Sequence, residues 1–357
     1  MMKVGVNMIK AGIIGTGGIS QCHTEGYQAL PDVEVVACCD IDEEKVKKYA
    51  ERYNIPRWYT DCREMMKNEQ LDCVSVCTWN SAHKDCTIVA LEGGANVICE
   101  KPMAMNAEEA ELMLETAKKC GKLLQVGFVR RFGKDADMVM QFKNDGLIGD
   151  VYYAKAKYLR RDGCPGGWFR DKNFSGGGPL IDLGVHIIDL SRYLAGNPLP
   201  VSAYGSTFSN LGPNRANGGE KAWKAEGLDE HPYNVEDFAT AMIKFDNGFT
   251  LEIEASFNLN VQGDENGIQI FGTKAGVDIS PDVKIYSDIA GTFVDITPTG
   301  KTYFDFHESF KDEIAGFVKA VKGEEPCRAT ADDGVQLMKI IDAIYESAKI
   351  GRSVEIK

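Results

Sequence analysis

The sequence predicts an α/β protein: a parallel, doubly wound sheet over residues 1–130, then an α+β domain with a mostly antiparallel sheet over residues 131–357. Three observations support this prediction. A chain of 357 residues is long for one hydrophobic core, so two domains are expected. In the first part, short apolar runs alternate with helical segments, a pattern typical of parallel sheets covered by helices on both faces. In the second part, short runs with a two-residue period predict antiparallel strands.

Composition and charge narrow the class of protein. Hydrophobic residues make up 44% of the chain and charged residues 26%, as in a soluble globular protein. Because the net charge is −13, we expect neither nucleic acid nor an anionic membrane as a partner. No apolar run approaches the ~18 residues of a membrane span, and the first ten residues are too short and interrupted for a secretory signal.

The eleven cysteines form no Cys-x-x-Cys pair and no Cys/His cluster. We therefore expect no metal site, and the usage fits reduced thiols in the cytoplasm. Cys73, Cys77 and Cys99 lie in apolar runs and are expected to be small core residues.

The start of the chain carries the clearest motif. A short apolar strand from Lys10 ends in Gly15-Thr-Gly-Gly-Ile-Ser20, a helix is predicted to follow, and a second strand from Val33 ends at Asp40. In a Rossmann-type dinucleotide site the first glycine permits the tight turn and the second lets the backbone approach the pyrophosphate. Here Ser20 replaces the third glycine with another small residue. The pattern therefore predicts nucleotide binding.

Asp40 indicates which nucleotide is bound. An acid at the end of the second strand can hydrogen-bond the ribose hydroxyls and repels a 2′-phosphate. Ile41 follows it, and no arginine stands beside it to bind that phosphate. We therefore expect NAD rather than NADP.

Two later strand ends carry further polar groups, at the edge where such sheets bind ligands. Runs at 71–77 and 95–99 read as buried strands, followed by Thr78-Trp-Asn-Ser-Ala-His83 and Glu100-Lys101. Proline after Lys101 keeps that residue out of the α region, although an ordinary turn lysine is the alternative. The predicted cofactor contacts are Gly15, Thr16, Gly17, Gly18, Ile19, Asp40, Thr78, Asn80, His83, Glu100 and Lys101.

The middle of the chain contains a candidate proton-transfer pair. Three glycines at 176–178 precede a segment of helical periodicity, on which Asp182 and His186 stand four residues apart. On an α-helix they would share one face about one turn apart. A carboxylate beside an imidazole can raise its pKa and orient it, which suits proton transfer. A helix N-terminal carboxylate and a structural histidine are the alternative, which these residues alone leave open.

Two loops are candidates for substrate contact. The glycine-rich stretch from Arg160 to Gly178 contains Trp168, and aromatic faces and guanidinium groups suit sugar rings and their polar groups. Trp168 could equally only pack the loop. A long aperiodic stretch over 211–232, with Trp223 and His231, predicts a lid, a specificity loop or a flexible excursion.

The remaining elements concern the second sheet. Alternating runs at 241–245, 250–255 and 267–271 predict strands with one covered and one free face, which favours self-association. Helices over 308–321 and 331–349 are expected to cover the other face.

In this order, Gly15-x-Gly17, Glu100-Lys-Pro and Asp182-x-x-x-His186 resemble the Gfo/Idh/MocA oxidoreductase family. The resemblance spans nearly the whole chain and includes Val235-Glu-Asp-Phe-Ala, Phe245-Asp-Asn-Gly and the tail from Ile341. It implies a Rossmann domain, a C-terminal α/β domain with a large open, mostly antiparallel sheet, and a homodimer or homotetramer. Trp79 is a departure, since the family usually has proline there in a Thr-Pro-Asn motif.

The resemblance also implies a function. Lys101, Asp182 and His186 would be the catalytic set of an NAD-dependent enzyme that oxidises a secondary alcohol on a sugar, glycoside or inositol ring. A ketosugar or aldehyde reductase, a hydride shuttle with tightly held cofactor and a non-catalytic nucleotide-binding regulator are the alternatives. The expected substrate contacts are Lys101, Arg130, Tyr158, Arg160, Trp168, Asp182 and His186.

Overall fold

A computed structural model of the protein describes residues 8–215 and 231–357. The chain forms two compact units. The first runs to Ala104 and also contains Glu108–Val129 and Phe306–Gly334, while the second contains Met105–Ala107, Arg130–Asp305 and Val335–Lys357. The chain passes from the first unit to the second at Arg130, near the predicted domain boundary. The units are not contiguous in sequence, because the segment Phe306–Gly334 belongs to the first unit.

The first unit contains a six-stranded parallel sheet with the order β3-β2-β1-β4-β5-β6, so the predicted doubly wound sheet is confirmed. Its strands are β1 (Ile9–Ile14), β2 (Val33–Cys39), β3 (Arg57–Tyr59), β4 (Cys73–Val76), β5 (Asn96–Glu100) and β6 (Leu124–Gly127). The first helices of the chain are α1 (Ser20–Gln28), α2 (Glu43–Tyr53), α3 (Cys62–Asn68), α4 (Asn80–Glu92) and α5 (Ala107–Cys120). The strand order reverses between β1 and β4, and doubly wound sheets bind ligands at such a reversal.

Local sequence accounts for most of these elements. β1, β2, β4 and β5 are short apolar runs with buried interiors. The side chain of Asp42 accepts a hydrogen bond from Lys45 N and caps α2, which is a common role for aspartate at a helix N-terminus. All eleven cysteines are free thiols, and Cys73, Cys77 and Cys99 are buried. Sequence analysis missed β3 and α3, because the edge strand β3 has only three residues and none of them is buried.

A C-terminal helix completes the first unit. α6 (Lys134–Asn144), α7 (Lys172–Ser175) and α8 (Val185–Ala195) come earlier in the chain, so this helix is α9 (Phe306–Val321). α9 packs on α1, and its residues Ile314 and Phe317 belong to the same buried cluster as Ile13. The prediction that this helix covers the antiparallel sheet was therefore wrong. The apolar stripe of α9 predicts that one face of the helix is buried, but it does not predict which surface that face packs against.

The second unit contains a nine-stranded sheet with the order β14-β13-β12-β11-β7-β10-β9-β8-β15. Among the strand pairs formed by the described residues of this sheet, only β7–β10 is parallel, which confirms the prediction of a mostly antiparallel sheet. The strands are β7 (Val151–Leu159), β8 (Pro200–Phe208), β9 (Phe238–Phe245), β10 (Thr250–Ser256), β11 (Glu265–Gly272), β12 (Ala275–Ile279), β13 (Val283–Ile289), β14 (Thr292–Ile296) and β15 (Val354–Glu355).

One face of this sheet is covered by helices. α8 packs against β7 and β10, and the last helix, α10 (Ala331–Ile350), meets β8 where Gly205 N donates a hydrogen bond to Ser347 Oγ at 3.0 Å. The prediction that α10 covers this sheet is thus confirmed. Side chains such as Tyr204 and Met242 are exposed. Among the helices within residues 8–215 and 231–357, none is long and apolar enough to cross a membrane.

Candidate active site

The glycine-rich turn after β1 combines a tight contact with an open surface. Gly15 has φ +87°, and a Cβ there would lie 2.6 Å from the carbonyl oxygen of Cys77, just after β4. A Cβ at Gly17 would meet nothing within 4 Å. The turn closes through Ser20, whose Oγ donates to the Gly17 carbonyl at 2.6 Å as α1 begins. Gly15 is therefore required by the fold, whereas the surface above Gly17 is open to a ligand, as a pyrophosphate site needs.

Asp40 follows the end of β2 and is held by this same turn. Its Oδ2 accepts hydrogen bonds from Thr16 N and Thr16 Oγ1, both at 2.8 Å, and its Oδ1 accepts from Asp42 N at 3.1 Å. A carboxylate has about four acceptor positions, so Oδ1 retains one for a ligand hydroxyl. A charged, oriented carboxylate with one acceptor position left fits the ribose of a dinucleotide.

His83 connects two of the predicted strand-end segments. Its ring is buried, with Nδ1 2.7 Å from the carbonyl oxygen of Pro102 and Nε2 3.1 Å from that of Thr78. Burial lowers the pKa of His83, although both hydrogen bonds and the charge of Glu100 act in the opposite direction. A neutral ring donates only one proton, which we assign to the shorter contact. The ring thus holds two turns together, and its direct contact with a cofactor stays a prediction.

A buried network that sequence analysis missed precedes Lys101. The His23 ring lies 3.0 Å from Ser75 Oγ through Nδ1 and 2.9 Å from Glu100 Oε1 through Nε2, while Tyr27 Oη lies 3.0 Å from Ser75 Oγ. Glu100 Oε2 accepts from Lys101 N at 3.1 Å. His23 and Tyr27 stand four residues apart on the buried face of α1, and this spacing was the feature of the sequence that could have predicted the network.

This network fixes the charge of Glu100. Burial alone would raise the pKa of its carboxyl, but the hydrogen bond and charge of His23, together with the charge of Lys101, hold that pKa below its ordinary value. Glu100 is therefore a carboxylate at neutral pH, with both oxygens engaged by its own unit. Its role toward a cofactor, like those of Thr78, Asn80 and Lys101, stays a prediction.

The second unit carries Asp182 and His186, on a helical segment that is not uniform. Asp182 lies in a π-helical stretch, Leu180–Gly184, and His186 is the second residue of α8. The prediction that both residues lie on one regular α-helix was therefore wrong, because the hydrogen bonding changes from the π to the α pattern between them. Asp182 is buried and His186 half-buried. Such π turns are frequent at functional sites.

Part of the predicted substrate set lies close to this segment. Tyr158 packs on the buried cluster of Cys164, Leu183 and Phe257. Burial raises the pKa of Cys164 to about 11, Asp182 adds to that shift, and the charges of Arg170 and Arg160 oppose it. Asp182, Arg160 and Arg170 therefore all lie close enough to the Cys164 thiol to affect its pKa.

Three further predicted substrate contacts have partners within the chain. The Arg160 guanidinium donates to Gly163 O at 2.9 Å, and Trp168 stacks on Phe169 with ring centroids 3.9 Å apart. Arg130 donates to Asp135 Oδ2 at 2.8 Å. These contacts fit both interpretations of Trp168, and the substrate roles of the three residues stay predictions.

The long loop predicted over 211–232 is described only at its ends. At the far end, His231 Nδ1 lies 3.3 Å from Asp171 Oδ2, and the rings of His231 and Phe174 form a T-shaped pair with centroids 4.9 Å apart. Trp223 lies outside the described residues.

The glycine-rich turn on a doubly wound sheet, together with the large open sheet of the second unit, defines a two-unit α/β protein with a dinucleotide-type turn, and sequence comparison identifies its family. Residues 9–128 match the model of the Gfo/Idh/MocA oxidoreductase family for the NAD-binding Rossmann fold, and residues 144–356 match its C-terminal α/β domain. The chain belongs to this family, and the named proteins to which it is similar include dehydrogenases of a D-glucoside and of inositols.

Three relatives illustrate the similarity. D-glucoside 3-dehydrogenase of Escherichia coli K12 is 34% identical over 351 residues, which covers 98% of this chain and 97% of that protein. Myo-inositol 2-dehydrogenase of Thermotoga maritima is 26% identical over 360 residues, covering 98% and 99%. The structure of levoglucosan dehydrogenase in complex with NADH superimposes with a TM-score of 0.83 at 23% identity, covering 98% and 99% of the two chains. This last likeness concerns the fold alone.

Proposed function

We propose that the protein oxidises a secondary ring hydroxyl of a D-glucoside to the ketone, with NAD⁺ as the hydride acceptor. The observation that carries the proposal is the pairing, in one chain, of a dinucleotide-binding edge with a carboxylate–imidazole pair on a π-to-α helical segment. Identity of 34% with a D-glucoside 3-dehydrogenase over almost the full length favours glycosides. An inositol ring is the second candidate, on the weaker likeness to an inositol dehydrogenase.

The chemistry divides between cofactor and chain. Bound NAD⁺ supplies an acceptor for the hydride that leaves the carbinol carbon, so that R₂CHOH and NAD⁺ give R₂C=O, NADH and H⁺. His186 takes the hydroxyl proton, since an imidazole with an ordinary pKa of about 6.5 titrates near working pH. Asp182 orients that imidazole or holds a substrate hydroxyl. Lys101 donates a hydrogen bond to the reacting oxygen and stabilises its developing negative charge.

We propose the following residues as the cofactor contacts. The open surface at Gly17 suits the pyrophosphate, and the remaining acceptor position of Asp40 suits a ribose hydroxyl. The same carboxylate would repel a 2′-phosphate, so the preferred cofactor is NAD. Gly15, Thr16, Gly18, Ile19, Thr78, Asn80, His83, Glu100 and Lys101 complete the proposed set.

The substrate contacts follow from side-chain chemistry. Tyr158 and Arg160 approach one another, with the guanidinium 5.4 Å from the ring centroid, and Trp168 presents a half-buried indole. Aromatic faces and a guanidinium suit a ring that bears several hydroxyls. Arg130 is the fourth proposed contact.

The test is a substrate screen with NAD⁺. Methyl D-glucosides, free sugars and inositols are offered in excess cofactor, with the absorbance of NADH and the product mass followed together. We expect NADH formation and a product two hydrogens lighter, fastest with a glucoside. Oxidised and reduced sugars without net NADH would instead indicate a hydride shuttle. Turnover only of ketosugars or aldehydes with NADH would identify a reductase. NAD binding without any turnover would favour a non-catalytic regulator and refute the proposal.

A further inference from the structure

The segment that carries Asp182 is anchored by a buried carboxylate that has no role in the mechanism above. Glu236 lies just before β9 and is 7% exposed. Its Oε2 accepts a hydrogen bond from Gly178 N at 2.9 Å, and its Oε1 accepts from Leu180 N at 3.1 Å. Tyr345 Oη, on α10, donates to the same Oε1 at 2.9 Å. All four residues belong to the second unit.

The packing around this carboxylate leaves no space for a side chain at the two glycines beside it. A Cβ at Gly177 would lie 2.0 Å from Tyr345 Oη, and a Cβ at Gly178 would lie 2.0 Å from the carbonyl oxygen of Glu236. These two glycines are therefore required by close approach of Tyr345 and Glu236. The glycine run that sequence analysis noted before the helix has its physical explanation here.

The anchor continues into the candidate catalytic pair. Leu180 is the first residue of the π-helical stretch, and Asp182 N donates to the carbonyl oxygen of Gly178 at 3.1 Å. The first amides of a helix lack acceptors within the helix, and a carboxylate placed there both satisfies them and interacts favourably with the helix dipole. Gly178 and Leu180 are thus fixed by Glu236, and Asp182 is fixed by Gly178.

Burying the carboxyl group of Glu236 carries a cost. Burial raises the pKa of its carboxyl, and the hydrogen bonds from Gly178, Leu180 and Tyr345 only partly offset that shift. A buried carboxylate that served packing alone could be replaced by an apolar side chain with little loss. A carboxylate that accepts hydrogen bonds from two amides pointing in different directions cannot be replaced in this way, because only a carboxylate offers two acceptor oxygens in that geometry.

We propose that Glu236, steadied by Tyr345, is a positioning residue that holds the π turn and thereby sets the placement of Asp182 and His186. Its effect on rate rests on the proposed function, whereas the anchoring itself does not. The two parts therefore have separate measurements.

The first measurement is amide hydrogen exchange over residues 176–186, which needs no substrate. Glu236→Gln replaces one acceptor oxygen with an NH₂ group, so at least one of the Gly178 and Leu180 amides loses its acceptor. We expect exchange there to accelerate by about tenfold, the equivalent of one lost hydrogen bond. Glu346→Gln, at the exposed neighbour of Tyr345 on α10, is the matched control and should leave exchange unchanged. Unchanged exchange in Glu236→Gln would overturn the anchoring.

The second measurement is steady-state kinetics with the best substrate and its carbinol-deuterated form. Glu236→Gln should lower kcat by about 10–100-fold, as misplacement of catalytic groups does, with the NAD affinity and the NAD-binding stoichiometry unchanged. The primary isotope effect on kcat should rise, because hydride transfer becomes slower relative to the other steps. A fall in kcat that only matches a fall in NAD-binding stoichiometry, with the isotope effect unchanged, would mean a merely structural role and overturn the proposal.

A second variant covers the case in which Glu236→Gln does not fold. Tyr345→Phe removes one donor and leaves both amide contacts, so it should change exchange and kcat in the same direction by a smaller factor. Wild-type exchange and kcat in Tyr345→Phe would then count against the anchor. If the wild-type protein oxidises no polyol, the proposed function fails, while the exchange measurement still decides the anchoring.

Discussion

Asp40 combines a structural contact with a proposed role in cofactor recognition, and that proposal assigns the choice between NAD and NADP to this one side chain. Thr16 donates twice to its Oδ2, so the carboxylate is oriented before any ligand arrives. We expect wild-type protein to bind NAD more tightly than NADP, and Asp40→Ala to narrow the difference by removing the repulsion of the 2′-phosphate. Calorimetric titration of both cofactors measures this.

The matched control for that prediction is Glu44→Ala. Glu44 is exposed in the first turn of α2, so this variant makes the same change in net charge without touching the turn. It should leave the NAD-to-NADP ratio unchanged. Equal or tighter binding of NADP by the wild-type protein would contradict the assignment of Asp40.

His186 and Lys101 are both able to accept a proton, and their variants separate the roles. His186→Ala should lower kcat by about 10²–10⁴-fold, the usual contribution of positioned proton transfer. Lys101→Met should reduce kcat and weaken substrate binding together, with NAD affinity nearly normal in both variants. The measurement is the pH dependence of kcat between pH 5 and 9.

The pH profile identifies the base. If His186 is the base, wild-type kcat rises with pH as the imidazole becomes neutral and able to accept the proton, and that rise is absent in His186→Ala. Because a lysine of depressed pKa can also act as a base, the opposite pattern is informative. A rise that persists in His186→Ala and disappears in Lys101→Met would assign the base to Lys101.

At the scale of the element, the glycine-rich turn offers two substitutions of the same size with opposite expectations. Gly15→Ala places a methyl group 2.6 Å from Cys77 O at φ +87°, whereas Gly17→Ala meets no atom within 4 Å. Gly15→Ala should therefore destabilise the fold by about 1–3 kcal/mol, the range for a strained backbone position. Gly17→Ala should leave the free energy of unfolding nearly unchanged and weaken NAD binding, because its methyl group occupies the ligand surface.

Chemical denaturation and NAD titration of the two variants test this pair. Normal NAD affinity in a well-folded Gly17→Ala would show that the pyrophosphate does not approach the turn there. Normal stability of Gly15→Ala would contradict the close contact between the turn and the end of β4.

At the scale of the whole molecule, the second sheet keeps an exposed face with apolar content. Tyr204 and Met242 are paired across β8 and β9 and are both exposed, at 52% and 45%. Burying such side chains against a second copy is favourable by about 25 cal/mol per Å². We therefore expect a homodimer or homotetramer at micromolar concentration, measured by light scattering.

Substitutions on that face provide the test of its location. Tyr204→Lys and Met242→Lys should shift the protein toward the monomer, because each places a charge in the buried face of the assembly. Leu112→Ser is the control, since Leu112 is equally exposed but lies on α5. A monomeric wild-type protein, or an assembly that withstands both lysine substitutions, would defeat the prediction.

Local sequence determined the elements whose causes are local. The glycine turn, the strands around it and the Asp42 cap of α2 were predictable because each depends on a few adjacent residues or on a short hydrophobic period. The antiparallel character of the second sheet was predictable for the same reason. Apolar residues at every second position indicate strands with one buried face, which is typical of antiparallel sheets. The candidate residues Asp182 and His186 were also found from their side-chain types and spacing.

Tertiary structure alone decided the rest. The periodicity of α9 showed that one of its faces is buried, but only the packing of Ile314 and Phe317 shows that it meets the core of the first unit. The π turn at Asp182 and its anchor, Glu236, lie more than fifty residues apart in the chain, as do His23 and Glu100. A local pattern records which groups need burial or a partner, and it carries no information on which distant group supplies them, because those contacts form only when the chain has folded.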